Sequence, residues 1–244
     1  ETLALINEQL LNNPCDKQLW TLRANSHLAQ NDYKRAAHTI ELADRLNCAA
    51  PEMLATLGDL YINDTQPQSA LDAYQRAFAM TRPDTNRILR ALEAFLMLDH
   101  TDGINDILAL AEESLAASGG DTNTQTKARL LRVKATLARN RAQPQKAITL
   151  CKQILKLAPL DGKTMLLLAR LQQDQGLFED AITTCEHAKR LKDYKADALI
   201  RHAQIEAERQ NYTEAIALLR AAQNIEQNDY VTRYIKQLQA TFLK

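Results

Sequence analysis

Residues 51–84 read PEMLATLGDLYINDTQPQSALDAYQRAFAMTRPD, and their pattern returns along most of the chain. Within the stretch, Leu54, Leu57, Gly58, Tyr61, Ala70, Tyr74 and Ala77 alternate large and small side chains at helical spacing, with Pro67 between two helical runs. The context of Ala70, QPQSALDAY, has counterparts around Ala36 (DYKRAAHTI), Ala147 (QPQKAITLC), Ala181 (LFEDAITTC) and Ala215 (NYTEAIALL). Ala36 precedes Ala70 by 34 residues, and Ala147, Ala181 and Ala215 are also 34 apart. A second column follows seven residues later as Ala43, Ala77, Ala111, Ile154, Ala188 and Ala222. A fixed period of this length marks a stack of similar supersecondary units.

Six units are placed, starting at Lys17, Pro51, Thr85, Ala128, Gly162 and Ala196. Position 8 reads Ala24, Gly58, Leu92, Ala135, Ala169 and Ala203, and position 20 reads Ala36, Ala70, Ile104, Ala147, Ala181 and Ala215. Small residues in these columns let two antiparallel helices approach closely, while larger ones at positions 4, 7, 11 and 24 fill the space between units. Turn residues fall where such a scheme needs them. Asn31, Asp32, Pro67, Asp102, Gly103, Pro144, Gly176 and Asn211 lie within units, and Pro14, Pro51, Pro83 and Pro159 lie between them. The sequence is therefore divided into a half-unit helix (1–16), units one to three (17–118), an inserted polar loop (119–127), units four to six (128–228) and a C-terminal capping helix (229–244). The stripe Val231, Ile235, Leu238 and Phe242 is expected to cover the last unit. Leu92, at a position that is otherwise small, predicts a wider helix crossing in the third unit.

Composition agrees with an all-α chain. The 244 residues are 45% hydrophobic and 25% charged, with only 6 Gly and 6 Pro, and good helix formers dominate. That excludes a disordered chain, and the scarcity of turn glycines argues against a β-sandwich or a phosphate-binding α/β enzyme. No apolar run approaches the ~20 residues of a membrane span. No glycine-rich phosphate loop, nucleophile elbow or paired-carboxylate motif occurs, so no enzyme and no cofactor are expected.

Four cysteines (Cys15, Cys48, Cys151, Cys185) are too few for a disulfide scaffold, and none forms a Cys-x-x-Cys pair. Cys151 and Cys185 share one apolar column and read as buried small hydrophobes. Cys15 and Cys48 fall in loops after helices, where exposed thiols open to oxidation are expected, inert thiols being the preferred reading. The five histidines lack zinc spacing and read as helix-surface or inter-helix residues. The chain begins at Glu1 without Met, so either a leader has been removed or the chain is part of something longer. With no targeting segment, the cytoplasm is expected ahead of the periplasm.

The repeat resembles the tetratricopeptide repeat family, whose 34-residue unit carries W-x2-L-G-x2-Y, then A-x3-F, then proline. The second unit matches it at Leu54, Leu57, Gly58, Tyr61, Ala70, Tyr74 and Ala77, and the first at Trp20, Ala24, Ala36, Ile40 and Ala43. The resemblance implies a right-handed superhelical solenoid and a non-catalytic scaffold for protein–protein interaction, of a kind common in bacterial envelope, secretion and regulatory systems. It also implies that positions 2, 5, 9 and 12 of each first helix face a concave groove. These columns place Asn25, Asp59 and Glu93 on the first half, and Arg129, Arg132, Arg139, Lys163 and Arg170, with Arg201 at position 6, on the second. The carboxylate clamp of chaperone-tail adaptors is matched only at Asn25 and Arg90, and the asparagine ladder of sugar-transferase relatives is absent.

Lys and Arg total 30 and Asp and Glu total 30, which speaks against a nucleic-acid partner. That balance hides an asymmetry: residues 1–120 hold 9 basic and 17 acidic side chains, and residues 121–244 hold 21 and 13. An acidic peptide or protein segment on the arginine-rich wall is the expected partner, since a guanidinium fork suits carboxylate. The alternatives are head-to-tail self-association of the oppositely charged halves, and an accessory array of a larger enzyme or secretion/envelope protein.

Overall fold

The computed structural model describes residues 2–117 and 124–242, with side chains to Ala240. The described residues hold fourteen α-helices, one short 3-10 turn (Lys192–Tyr194) and no strand. They divide into two compact units, Glu1–Gly120 and Asp121–Lys244, parting within the polar stretch where the charge also changes sign.

The first unit starts with α1 (Thr2–Asn12), followed by the pairs α2 (Lys17–Ala29) with α3 (Tyr33–Arg45), α4 (Pro51–Asn63) with α5 (Pro67–Met80), and α6 (Thr85–Met97) with α7 (Asn105–Ala117). The second holds α8 (Thr124–Asn140) with α9 (Pro144–Leu157), α10 (Gly162–Asp174) with α11 (Phe178–Lys189), and α12 (Lys195–Glu208) with α13 (Tyr212–Gln223), closed by α14 (Asp229–Phe242). Four expected repeat starts coincide with the first residue of a helix, and Ala196 falls one residue late. The fourth differs. Helix α8 begins four residues ahead of Ala128, so residues 124–127 of the expected loop are helix. Nothing in Thr124-Gln125-Thr126-Lys127 breaks a helix, and α8 extends backwards through it. The remainder of that loop, 118–123, lies outside the described residues.

The small columns are the helix crossings. Positions 20 and 27 are buried in all six repeats, Ile104 and Ile154 included. At Gly58 an added Cβ would stand 2.8 Å from the ring of Tyr74, so only glycine lets α4 and α5 approach this closely. In the third repeat Leu92 and Ile104 occupy the small positions, and α6 packs less closely against α7 than α4 does against α5. Val231 and Leu238 of α14 join the core of α12 and α13, with Ile235 packed beside them. The side chain of Phe242 lies outside the described residues.

Every turn within a repeat is built alike. Position 15 is left-handed in all six: Asn31, Thr65, Asp99, Ala142 and Gln210 have φ between 51 and 67°, and Gly176 has φ 70°. In each, the next residue's N–H bonds back to the carbonyl five residues earlier, as from Asp32 to His27 and from Leu177 to Gln172. This double-bonded stop satisfies the last carbonyls of the first helix. Only one repeat uses glycine there, and a side chain in this conformation costs about 1–2 kcal/mol. Thr65→Gly, at an exposed, β-branched position, is expected to raise stability by about 0.5–1 kcal/mol once the freer unfolded chain is allowed for. An unchanged urea midpoint would contradict this.

Two cysteines depart from the sequence reading. Cys15 and Cys48 form a disulfide, and Cys48 is only 2% exposed. They occupy successive turns between repeats, one period less one residue apart, and the stacking of repeats sets these turns side by side. Cys151 and Cys185, also one period apart, are free and buried as expected.

Candidate functional site

In the second unit the expected site residues lie on α8, α10 and α12, the first helices of three successive repeats. Arg129, Arg132 and Arg139 are half-buried along α8, while Lys163 and Arg170 stand exposed on α10. Their surroundings separate them. Arg132 donates to Asp161, which caps α10 by accepting the N–H of Thr164 at 3.1 Å. Arg139 donates to the side chain of its neighbour Asn140 at 3.2–3.3 Å. Arg170 and Arg201 make no ion pair among the described residues. Burial first, and then the charge of Arg170, lower the pKa of Arg201. Two like charges are thus neighbours, one exposed and one half-buried, with the Asp174 carboxylate opposing the shift in part.

Beside them run the amides of Gln173 and Gln204. Gln173 donates to Glu208 at 2.8 Å, and Gln204 donates to the hydroxyl of Tyr230 on α14 at 3.2 Å. Both Oε1 atoms are buried without a hydrogen-bond donor.

Asp161 is held below the usual carboxylate range: burial opposes ionisation, but the Thr164 N–H and Arg132 outweigh it. A depressed carboxylate pKa gives stability that is present above the unfolded pKa and lost as pH falls through the folded one. Asp161→Ala removes a cap and strands Arg132, so a loss of about 1–2 kcal/mol at neutral pH, shrinking in acid, is expected in urea titrations at several pH values. A loss independent of pH would rule out the ionic part. Ahead of this pair, Leu160, Pro159, Ala128 and Arg129 frame an open cleft of about 650 Å³.

The first unit brings its expected residues into a different arrangement. Asn25 is exposed on α2, and Glu93 is half-buried on α6. Asp59 on α4 accepts from the Tyr74 hydroxyl and from Arg87 Nη2 at 2.6 Å, so its carboxylate serves the packing of two repeats. A second cavity, about 970 Å³, lies between Tyr33, Lys34, His38, Glu41, Tyr61 and Asp64. There the Tyr61 hydroxyl donates to Glu41 at 2.6 Å, and burial followed by that carboxylate pushes its pKa up to about 12.

Sequence reasoning did not find the partners. Asp161 was not singled out in the sequence, and its pairing with Arg132 joins residues 29 apart in different repeats. His202 is an inter-helix residue, between Glu186 at 3.3 Å and Glu206 at 3.7 Å. Glu206 is buried but compensated, accepting from Arg209 at 3.1 Å and from Asn211 at 2.5 Å. Among the described residues no cluster of His, Cys, Asp and Glu could hold a metal ion, and no helix is long and apolar enough to cross a membrane.

Residues 138–193, from the end of α8 into the 3-10 turn after α11, match the tetratricopeptide repeat family. The fold is that of a tetratricopeptide repeat array. Solved structures agree across nearly the whole chain. The type IV pilus biogenesis factor PilW is similar at 16% identity and TM-score 0.63, over 90% of this chain and 98% of that one. The C-terminal part of a repeat protein from Cytophaga hutchinsonii is similar at 15% identity and TM-score 0.61, over 95% and 92%. A tetratricopeptide repeat protein from Parabacteroides merdae is similar at 14% identity and TM-score 0.55, over 97% and 90%. No curated protein matches the sequence. Identities this low speak for the fold alone, and tetratricopeptide folds generally mediate protein–protein interaction.

Proposed function

We propose that this tetratricopeptide array is a non-catalytic scaffold that binds an extended, acidic peptide or protein segment along the first helices of its second unit. The observation that carries the reading is the Arg170–Arg201 wall, two neighbouring guanidinium groups that make no ion pair among the described residues, with Asp174 near Arg201 only partly offsetting their charge. Arg201, half-buried, gains more from a carboxylate than a fully solvated arginine does, and the local positive potential speeds encounter with an acidic chain. Arg129 and Lys163 extend the basic wall on either side of the Arg132–Asp161 pair.

The test uses a fluorescein-labelled peptide of alternating Glu and Leu, titrated by anisotropy at low and moderate salt. The wild type is expected to bind, with affinity falling as salt rises. Arg170→Glu with Arg201→Glu should weaken binding by about a hundredfold, on the scale of buried charge pairs turned repulsive. Equal affinity in wild type and double variant overturns the assignment of this wall. A circular dichroism melt matching the wild type shows that the variant keeps its fold.

A further inference from the structure

All four cysteines have a defined fate, and together they say where the protein works. Cys15 lies in the turn between α1 and α2, and Cys48 in the turn between α3 and α4. Their Cα atoms are 5.0 Å apart, within the span that a disulfide bridges. The second turn is shaped for it: Asn47 takes a left-handed conformation, and the Cys48 N–H bonds back to the Ala43 carbonyl at 2.7 Å. Cys48 is buried and Cys15 exposed, so an external reagent meets Cys15 first. Cys151 and Cys185 sit in separate core clusters, where burial pushes both thiols up to about 12. Neither ionises at neutral pH, and neither competes for the other pair.

We infer that oxidation of Cys15 and Cys48 is a maturation step, and that the protein works in an oxidising compartment. The one cysteine that reaches solvent, Cys15, is paired with Cys48, and the two left unpaired are sealed in the core. A chain with that pattern is safe from mispairing where oxidants act, whereas a pair with one member open to solvent is kept reduced in the cytosol. The step balances as thiol–disulfide exchange. The Cys15 thiolate attacks the disulfide of a thiol oxidoreductase, forming a mixed disulfide and releasing one of its thiols. Cys48, deprotonated, then attacks the Cys15 sulfur, closing the bond and releasing the second thiol. The protein loses two electrons and two protons; the oxidoreductase is reduced to its dithiol. The product ties the two ends of one complete repeat, α2 and α3, to each other. The cytoplasmic expectation rested on the lack of a targeting segment, and this proposal replaces it.

In cells that express the protein naturally, acid quenching followed by blocking of free thiols, reduction and maleimide–polyethylene glycol labelling reads the state directly. Two tags, mapped to Cys15 and Cys48, are expected; a protein carrying none, with all four thiols blocked in the first step, overturns the proposal. Hydrogen exchange of the purified chain reads the structural role. Dithiothreitol, or Cys15→Ser, is expected to speed opening of α2 and α3 by about a hundredfold and to leave α11–α13 unchanged. Equal exchange in oxidised and reduced protein overturns the role of the bond in holding the repeat.

Discussion

Tyr74→Ala is expected to cost the first unit about 3–5 kcal/mol, the range for deleting a fully buried aromatic side chain. Tyr74 is 1% exposed and fills the crossing that Gly58 opens. Its ring meets Phe95 of the next repeat edge-on at 5.8 Å and Phe78 of its own helix at 5.6 Å. Its hydroxyl donates to Asp59, which in turn receives Arg87 of the third repeat, so one side chain couples two repeats. Repeats in a stack draw their stability from such neighbours, and the loss should therefore spread to α6. Tyr74→Phe separates the two contributions: it keeps the ring and removes one donor, for a loss of about 1 kcal/mol. The single tryptophan, Trp20, lies in the first unit, and its fluorescence follows that unit's unfolding in urea. A loss below about 1 kcal/mol for Tyr74→Ala would mean that the crossing refills, contrary to the packing described.

Leu92→Ala sets the repeat pattern against the packing. The column at position 8 is Ala, Gly, Ala, Ala and Ala in the other repeats, so the pattern alone predicts that alanine improves the third. The structure predicts the reverse. Leu92 is 0% exposed, among buried Ile88, Leu89, Phe95 and Ile104, in a repeat whose two helices pack less closely than their counterparts. Removing its side chain leaves a cavity that the crossing cannot close without rebuilding the whole repeat, for a loss of about 2–5 kcal/mol. The same Trp20-monitored urea titration checks it. A gain in stability would show that α6 and α7 close up to the spacing of the other pairs, and that Leu92 holds them apart at a cost.

Much of this architecture was legible before any coordinates. Helix ends followed from Pro51, Pro67 and Pro144 and from turn residues such as Asn31 and Asp32, because such signals act within one turn of chain. The small columns announced close crossings for the same reason: backbone approach excludes large side chains wherever it occurs. The left-handed residue at position 15 was less legible, since five of six repeats place a side chain there that glycine would serve better. In these five, the bonds that end each helix outweigh a local preference of about 1–2 kcal/mol. The backward extension of α8 was hidden by polar residues that suit a loop and a helix equally.

The candidate site was legible only in outline. Counting charge along the chain located the basic half, and the repeat register placed six basic residues on three first helices. Sequence could not tell that Arg132 belongs to Asp161 while Arg170 faces Arg201, because those relations depend on side-chain reach between neighbouring repeats. The cysteines give the clearest contrast. Two pairs lie about one period apart, and one is bonded while the other is sealed in separate cores. What the amino-acid order determined by itself was the helix, the period and the sign of each half, since backbone propensity, close packing and net charge are local or additive. Tertiary structure alone decided which charges are spent on one another and which cysteines meet. Stacking brings together groups a period apart along the chain, and a few ångströms in the turn or the side chain then choose between a bond, an ion pair and an open site.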